Sequence, residues 1–415
     1  MARPVRSLTI VALVLGLAAL AVGAVGAHAS PGALGQPDPL SFGAAQNVAL
    51  GHYTGAMIAG KFNGGPRADL AISNNTPAHA RSGTLTIVRD ADGHFHLVRT
   101  VAVRPFTGPI ATADLNGDGK LDLVVGTPSS MVHSAPSLSV LLGVGNGTFR
   151  SPHVFDLGHD PGTLVLADVN GDHRVDVLIA SDKWIVVLLG RGDGTLGPRH
   201  SYLIDAALRH GDGRVGSFAV SDVNGDGKPD VVVGGVRGVN VPTGTINVLL
   251  GNGRGAFGAA ATTTTGELLP GGLAIADLNR DGKRDLVVND MDDTPDYGGG
   301  PEVAVIAVSL GNGDGTFTQT HKYDLSELGS GALSLRDMDG DGIRDAVVVL
   351  NSGFDVLQGD GAGGFEAPVA FAHTHWTGDA NLAVADYNGD GKLDVAVNDL
   401  KTLSVFLNTT TTPVP

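Results

Sequence analysis

Apolar residues along this chain fall in short, β-branched runs that often alternate with polar ones, and glycine, aspartate or asparagine closes each run. The stretch around Asp168 shows the unit. Residues 163–167 lead into an acidic loop, residues 175–180 (VDVLIA) leave it, residues 184–189 (WIVVLL) follow, and a glycine-rich turn (GRGDGT) leads into residues 196–203. Runs this short, punctuated this often, have the length and content of strands and leave no room for a helical period. The pattern predicts four short strands per unit.

The unit repeats. A nine-residue segment recurs as DLNGDGKLD (114–122), DVNGDHRVD (168–176), DVNGDGKPD (222–230), DLNRDGKRD (277–285), DMDGDGIRD (337–345) and DYNGDGKLD (386–394), with a decayed copy KFNGGPRAD at 61–69. The period is about 54 residues and there are seven copies. Four strands per unit, arrayed radially, is the β-propeller solution, which leaves only short, protected edges. The last unit supplies three strands (381–385, 393–398, 402–407), and the missing fourth stands at the other end, where SFGAAQNVALG (41–51) matches fourth-strand segments such as TFRSPHVFDLG (148–158). The fold expected is all-β: one seven-bladed β-propeller of four-stranded blades over residues 40–408, its last blade closed by the N-terminal strand.

Composition then changes the picture in one respect. Of 43 acidic residues in the 415, 39 are Asp and 4 are Glu, and the formal net charge is -16. Asp with Gly is the composition of tight turns and of oxygen-ligand cation loops. Nineteen of the Asp lie in the six intact segments. Side-chain oxygens at positions 1, 3, 5 and 9, with the carbonyl of position 7, can surround one hard cation, and Gly at position 6 permits the turn around it. The ligand sets expected are Asp114, Asn116, Asp118, Lys120 and Asp122; Asp168, Asn170, Asp172, Arg174 and Asp176; Asp222, Asn224, Asp226, Lys228 and Asp230; Asp277, Asn279, Asp281, Lys283 and Asp285; Asp337, Asp339, Asp341, Ile343 and Asp345; and Asp386, Asn388, Asp390, Lys392 and Asp394. Ca²⁺ suits them better than Mg²⁺, because several carboxylates in a flexible loop favour the larger ion. An EF-hand is excluded, since its position 12 needs Glu and here holds Val125, Ile179, Val233, Val288, Val348 and Val397. The decayed copy, with Lys61 at position 1 and Gly65 at position 5, is expected to bind no calcium. His173 replaces the position-6 glycine of the second intact loop, which is expected to weaken that site.

Arg3 and Arg6 precede an apolar run over residues 8–26, followed by Ala27-His28-Ala29, which is the order of a secretory signal cleaved after Ala29. Residues 1–29 are therefore expected to be a signal peptide, 30–39 a linker and 409–415 a polar tail, giving a secreted, extracellular monomer that does not insert in a membrane once processed. Loss of the two arginines takes the charge to -18, and six Ca²⁺ would bring it to about -6. The absence of a basic stripe argues against a nucleic-acid partner, and the absence of cysteine excludes disulfides and thiolate chemistry.

The Asp-first loops, the strands ending in LLG and the GNGDGTF turn (311–317) resemble the FG-GAP and VCBS repeat families, found also in the heads of integrin α-subunits. The resemblance implies calcium loops on the bottom face and a ligand on the opposite, top face. There the connections between second and third strands look long at 74–83, 127–137, 234–244 and 289–301 and short elsewhere. Top-face loops collect Tyr53, His79, His133, His373, His375 and Trp376, the ligand-binding candidates, together with His52, His159 and His210. The function expected is an extracellular binding or adhesion module for carbohydrate or protein. The alternative is a secreted polysaccharide lyase or sugar dehydratase using His373 and His375. No G-x-S-x-G or H-E-x-x-H motif is present, and no catalytic residue is assigned.

Overall fold

The computed structural model describes residues 40–74, 83–91, 94–104, 108–129, 135–205, 215–237, 243–266, 270–290, 304–327, 329–372, 381–398 and 401–411. These form 28 strands and, among the described residues, no helix. After β1 (Gln46–Ala49), the first blade is β2 (Thr54–Gly60), β3 (Asp69–Asn74), β4 (Gly83–Ala91) and β5 (His94–Val103). The second is β6 (Ile110–Ala113), β7 (Asp122–Thr127), β8 (Ser137–Leu141) and β9 (His153–Asp156), and the third β10 (Thr163–Ala167), β11 (Asp176–Ser181), β12 (Trp184–Gly190) and β13 (Leu196–Leu203). The fourth comprises β14 (Val215–Ser221), β15 (Asp230–Arg237), β16 (Thr243–Leu249) and β17 (Ala261–Gly266), and the fifth β18 (Pro270–Ala276), β19 (Asp285–Asp290), β20 (Val305–Gly311) and β21 (Phe317–Asp324). The sixth is β22 (Gly329–Arg336), β23 (Asp345–Leu350), β24 (Gly353–Leu357) and β25 (Val369–Ala372); the last is β26 (Asn381–Ala385), β27 (Asp394–Asn398) and β28 (Thr402–Phe406).

Each blade is a four-stranded antiparallel sheet, and the seven stand in a ring, so the protein is a seven-bladed β-propeller. The second strands are buried on both sides because period-2 alternation gives one face to each neighbouring blade. In β7, Leu123 and Val125 pack against Leu85 and Ile87 of the first blade, while Val124 joins Leu138 and Val140 against Val177 and Ile179 of the third. Seven apolar clusters result, one at each seam. Every buried Val or Leu contributes about 1.5–3 kcal/mol. The outer strands face solvent and carry the polar residues, as β13 and β21 show.

Closure follows the expected route: β1 pairs antiparallel with β28, Gln46 opposite Val405 and Ala49 opposite Thr402. Phe42 packs edge-on against Phe354 and Phe371, with ring centroids 5.3 and 4.8 Å apart. The contacts run past residue 408, because Thr409 N donates to the Ser41 carbonyl at 2.8 Å and Ser41 N to Thr410 Oγ1 at 3.0 Å. Two connections differ from the expected outline: residues 234–237 are not loop but the end of β15, since Thr243 to Thr245 supply ladder partners for Gly235 to Arg237, and Asn289 and Asp290 end β19, paired with Gly272 and Pro270. Residues 1–39, on which the leader and linker fall, lie outside the described residues, as do 412–415.

Candidate metal centres

Each acidic loop joins the first strand of its blade to the second. In the loop between β6 and β7, two positions take left-handed backbone: Gly117 at position 4 (φ 72°) and Gly119 at position 6 (φ 78°). That double reversal turns successive amides inward. Asp114 Oδ1 accepts from Gly117 N at 2.7 Å and Asp118 N at 3.2 Å, and its Oδ2 from Gly119 N at 2.7 Å. Asn116 Oδ1 accepts from Asp118 N at 3.0 Å, and Asp118 Oδ1 from Lys120 N at 3.0 Å. Bonds of this set recur around Asp168, Asp222, Asp277, Asp337 and Asp386. The loops are thus shaped by their own backbone, and each position-9 carboxylate lies near enough to others of its loop to be repelled by them. His173 (φ 64°) occupies position 6 and Arg280 (φ 60°) position 4, in conformations that disfavour a side chain.

The position-9 aspartates differ from the rest because they begin the second strands and are buried. Asp122 Oδ2 accepts from Leu115 N at 2.9 Å and Oδ1 from Gly143 N at 2.7 Å, and the same pair of bonds holds Asp176, Asp230, Asp285 and Asp345. The second donor explains the recurring glycine after the third strand. A Cβ on Gly143, Gly190, Gly251 or Gly311 would lie deep inside contact with the carbonyl at position 8 of its own loop. Burial, with repulsion from the other loop carboxylates, raises the pKa of Asp176 and Asp394 to about 6 and of Asp345 to about 7. Asp122, Asp230 and Asp285 shift the same way, again through burial first.

These donors are all oxygen and mostly carboxylate, the chemistry that a hard divalent cation selects. In the sixth blade, oxygens of Asp337, Asp339 and Asp345 lie within 4.8 Å of one another. Position-7 side chains lean on position 5: Lys228 Nζ is 2.9 Å from Asp226 Oδ2 and Lys120 Nζ 3.5 Å from Asp118 Oδ2, exposed pairs of small energetic weight.

The first blade's loop is built otherwise. Asn63 donates its backbone amide to Asp69 Oδ2 at 3.1 Å and its side-chain Nδ2 to Oδ1 at 3.0 Å, so both oxygens of the buried carboxylate are met from within the loop. Arg67, paired with Asp90 at 2.6 Å, lies over Gly389 of the last blade's loop, and Ala68 N donates to the Asp386 carbonyl at 3.0 Å.

Antiparallel topology puts the connections between second and third strands, and those between blades, at the end opposite the acidic loops. Tyr53 is exposed there, with Lys401 Nζ 4.6 Å from its ring centroid. Behind it His52 Nε2 lies 3.2 Å from Thr86 Oγ1. His79, His133, His373, His375 and Trp376 fall outside the described residues. Two features escaped the sequence reading. Trp184, read only as a strand residue, stacks on His159 (6.0 Å, 29°) at this end, and Asp160 ties the neighbouring connection by accepting from Ser129 N and Oγ at 2.6 and 2.8 Å. The position-4 backbone demand had a signal, Gly117, Gly171, Gly225, Gly340 and Gly389 being shared by five loops, but no reading of position 6 alone would find it.

A family model described as FG-GAP-like repeat matches residues 114–179, 168–233, 222–288 and 337–397. Integrin alpha-IIb of Mus musculus is 27% identical over 209 residues, a stretch that covers 44% of this chain and only 20% of the integrin. Among solved structures, an Agrocybe aegerita lectin, described for its specific recognition of non-reducing terminal N-acetylglucosamine, superimposes with a TM-score of 0.53 at 19% identity, over 89% of this chain and 87% of the lectin. With repeat matches over more than half its length and the seven-bladed ring in place, the chain belongs to the FG-GAP-like repeat family.

Proposed function

We propose that this protein is a secreted, calcium-stabilised propeller that binds an extracellular carbohydrate or protein through the face opposite its acidic loops. One observation carries the reading: six loops with the same inward-turned amides and gathered carboxylates stand at one end of the ring, leaving the other end, with Tyr53, Lys401, Trp184 and His159, free of that task. In the proposed sites, the residues at positions 1, 3, 5 and 9 and the position-7 carbonyl would hold Ca²⁺, whose contribution is to neutralise carboxylates that otherwise repel one another. The loop at Lys61 takes no ion, because Lys61 at position 1 and Gly65 at position 5 leave it without two of the carboxylates that the other loops carry. The integrin similarity and the lectin's ligand support a binding role, and an indole or phenol face is a common platform for a sugar ring. The leader at 1–29 is cleaved after Ala29, and residues 30–39 lead into a monomeric domain whose closing contacts reach Thr410.

The test is binding of the processed protein to a glycan array and a panel of extracellular matrix proteins, in 2 mM calcium and in excess chelator. Saturable binding that falls tenfold or more in Tyr53→Ala or Trp184→Ala, at unchanged melting temperature, supports the reading. Absence of binding to either panel by a protein that shows calcium-dependent melting rejects the ligand role and leaves the metal role standing.

A further inference from the structure

The acidic loops are joined to one another around the ring. In each of blades two to five, the third-to-fourth-strand hairpin performs two tasks. Its first glycine donates to the position-9 carboxylate of its own blade, and a later glycine donates to the position-2 carbonyl of the preceding blade's loop. The cross-blade bonds are Gly147 N to Phe62 O (2.9 Å), Gly194 N to Leu115 O (3.3 Å), Gly255 N to Val169 O (3.2 Å) and Gly315 N to Val223 O (3.1 Å). The position-2 residue in turn donates its own amide to its loop's position-9 carboxylate, as Leu115 and Val169 do. A path therefore runs from Asp122 through Leu115 and the 190–196 hairpin to Asp176, and onward through Val169 and the next hairpin to Asp230.

In the last blade a single side chain replaces the hairpin. Asn408 donates its amide to Asp394 Oδ1 at 2.8 Å and its Nδ2 to the Met338 carbonyl, position 2 of the sixth blade's loop, at 2.7 Å. Among the described residues, the seam between the fifth and sixth blades shows no such backbone bond: Phe365 N donates to the Tyr323 hydroxyl at 2.8 Å on outer strand β21, and the fifth blade's loop meets the sixth blade's through the Arg280 side chain beside Gly342 and Asp341.

We propose that calcium filling of neighbouring loops is coupled through these hairpins, in two groups: the loops at Asp114, Asp168, Asp222 and Asp277, and the loops at Asp337 and Asp386. Ordering one loop fixes its position-2 carbonyl, which orders the next blade's hairpin, which fixes one of the two amides holding the next position-9 carboxylate. The linkage is reciprocal, so each site raises its neighbour's affinity and is raised by it. This rests on the calcium reading above.

Amide hydrogen exchange, followed loop by loop through a calcium titration of the full chain, tests it. Asp390→Ala should move the calcium midpoint of residues 337–345 upward by about fivefold or more. In an Asn408→Gly background, which keeps the amide to Asp394 and removes the Nδ2 link, the same change should leave that midpoint in place. Residues 277–285 should not respond in either case. Asp172→Ala, which leaves Asn408 untouched should that variant not fold, should likewise shift 114–122 and 222–230 while 337–345 stays. Equal shifts in every loop, or none outside the altered one, overturn the coupling. Should no loop of the unaltered protein gain protection with calcium, the calcium reading fails first and the coupling with it.

Discussion

The backbone amide of Asn408 meets Asp394 Oδ1 at 2.8 Å in the position that glycine fills in blades two to six. The last blade can dispense with glycine there because no hairpin follows; β1 supplies the fourth strand. The freed side chain is buried and bonded on all sides, donating to the Met338 and Leu393 carbonyls and accepting from Thr410 N. Asn408→Ala is expected to lower unfolding stability by about 2–3 kcal/mol, since buried carbonyls lose their donors, read as a lower urea midpoint at unchanged slope.

His173 and Arg280 hold left-handed backbone that their counterparts leave to glycine. His173→Gly and Arg280→Gly should each raise stability by about 1 kcal/mol, and His173→Gly should tighten calcium at its loop. Gly119→Ala should do the reverse. Thermal melts with and without calcium give both readings.

Gly190 admits no side chain, because a Cβ would strike the Val175 carbonyl, a backbone atom with no room to retreat. Gly190→Ala is expected to cost about 3 kcal/mol, far above the effect of Gly171→Ala, whose Cβ would meet open space and bear only the backbone strain. Comparing the two by denaturant unfolding separates close approach from conformational preference.

Calcium and protons should compete. Asp345 titrates at about 7 and Asp176 and Asp394 at about 6, all raised by burial. A raised carboxylate pKa means that the folded chain holds the proton more tightly than the unfolded one. Its stabilising share is complete below the unfolded value near 3.9 and is lost as pH rises through 6 to 7. In excess chelator the melting temperature should therefore rise as pH is lowered from 8 to 5, until other groups intervene. The calcium-induced gain, up to roughly 1.4 kcal/mol per site at about 1 mM, should shrink over that interval. A calcium gain equal at pH 5 and 8 would contradict this.

The ring and its loops were legible because both are written locally. Alternation fixed β10 and β26 to the residue, and Asp-x-Asn-x-Asp-Gly states the turn geometry outright. The glycine after the third strand of blades two to six was visible as a pattern, but its cause, the approach of a loop carbonyl, exists only once the hairpin is packed. Residues 234–237 looked like loop because two glycines stand together, and cross-strand threonines overrode them. The Gly194 to Leu115 bond joins blades that sequence treats as independent copies. The top face resisted for a related reason: its connections share no period, so only contact reveals that Trp184 and His159 meet.

The pairing of β1 with β28 also sets a timetable for synthesis. Of the ring's described strands β1 is made first and is needed by the last, so Gln46 to Ala49 must wait unpaired while six blades form. During that wait the outer edge of the seventh blade, once made, can accept this strand from its own chain or from another. A pair of chains exchanging first strands would keep every bond of the native ring, which makes strand-swapped dimers the natural misassembly at high concentration.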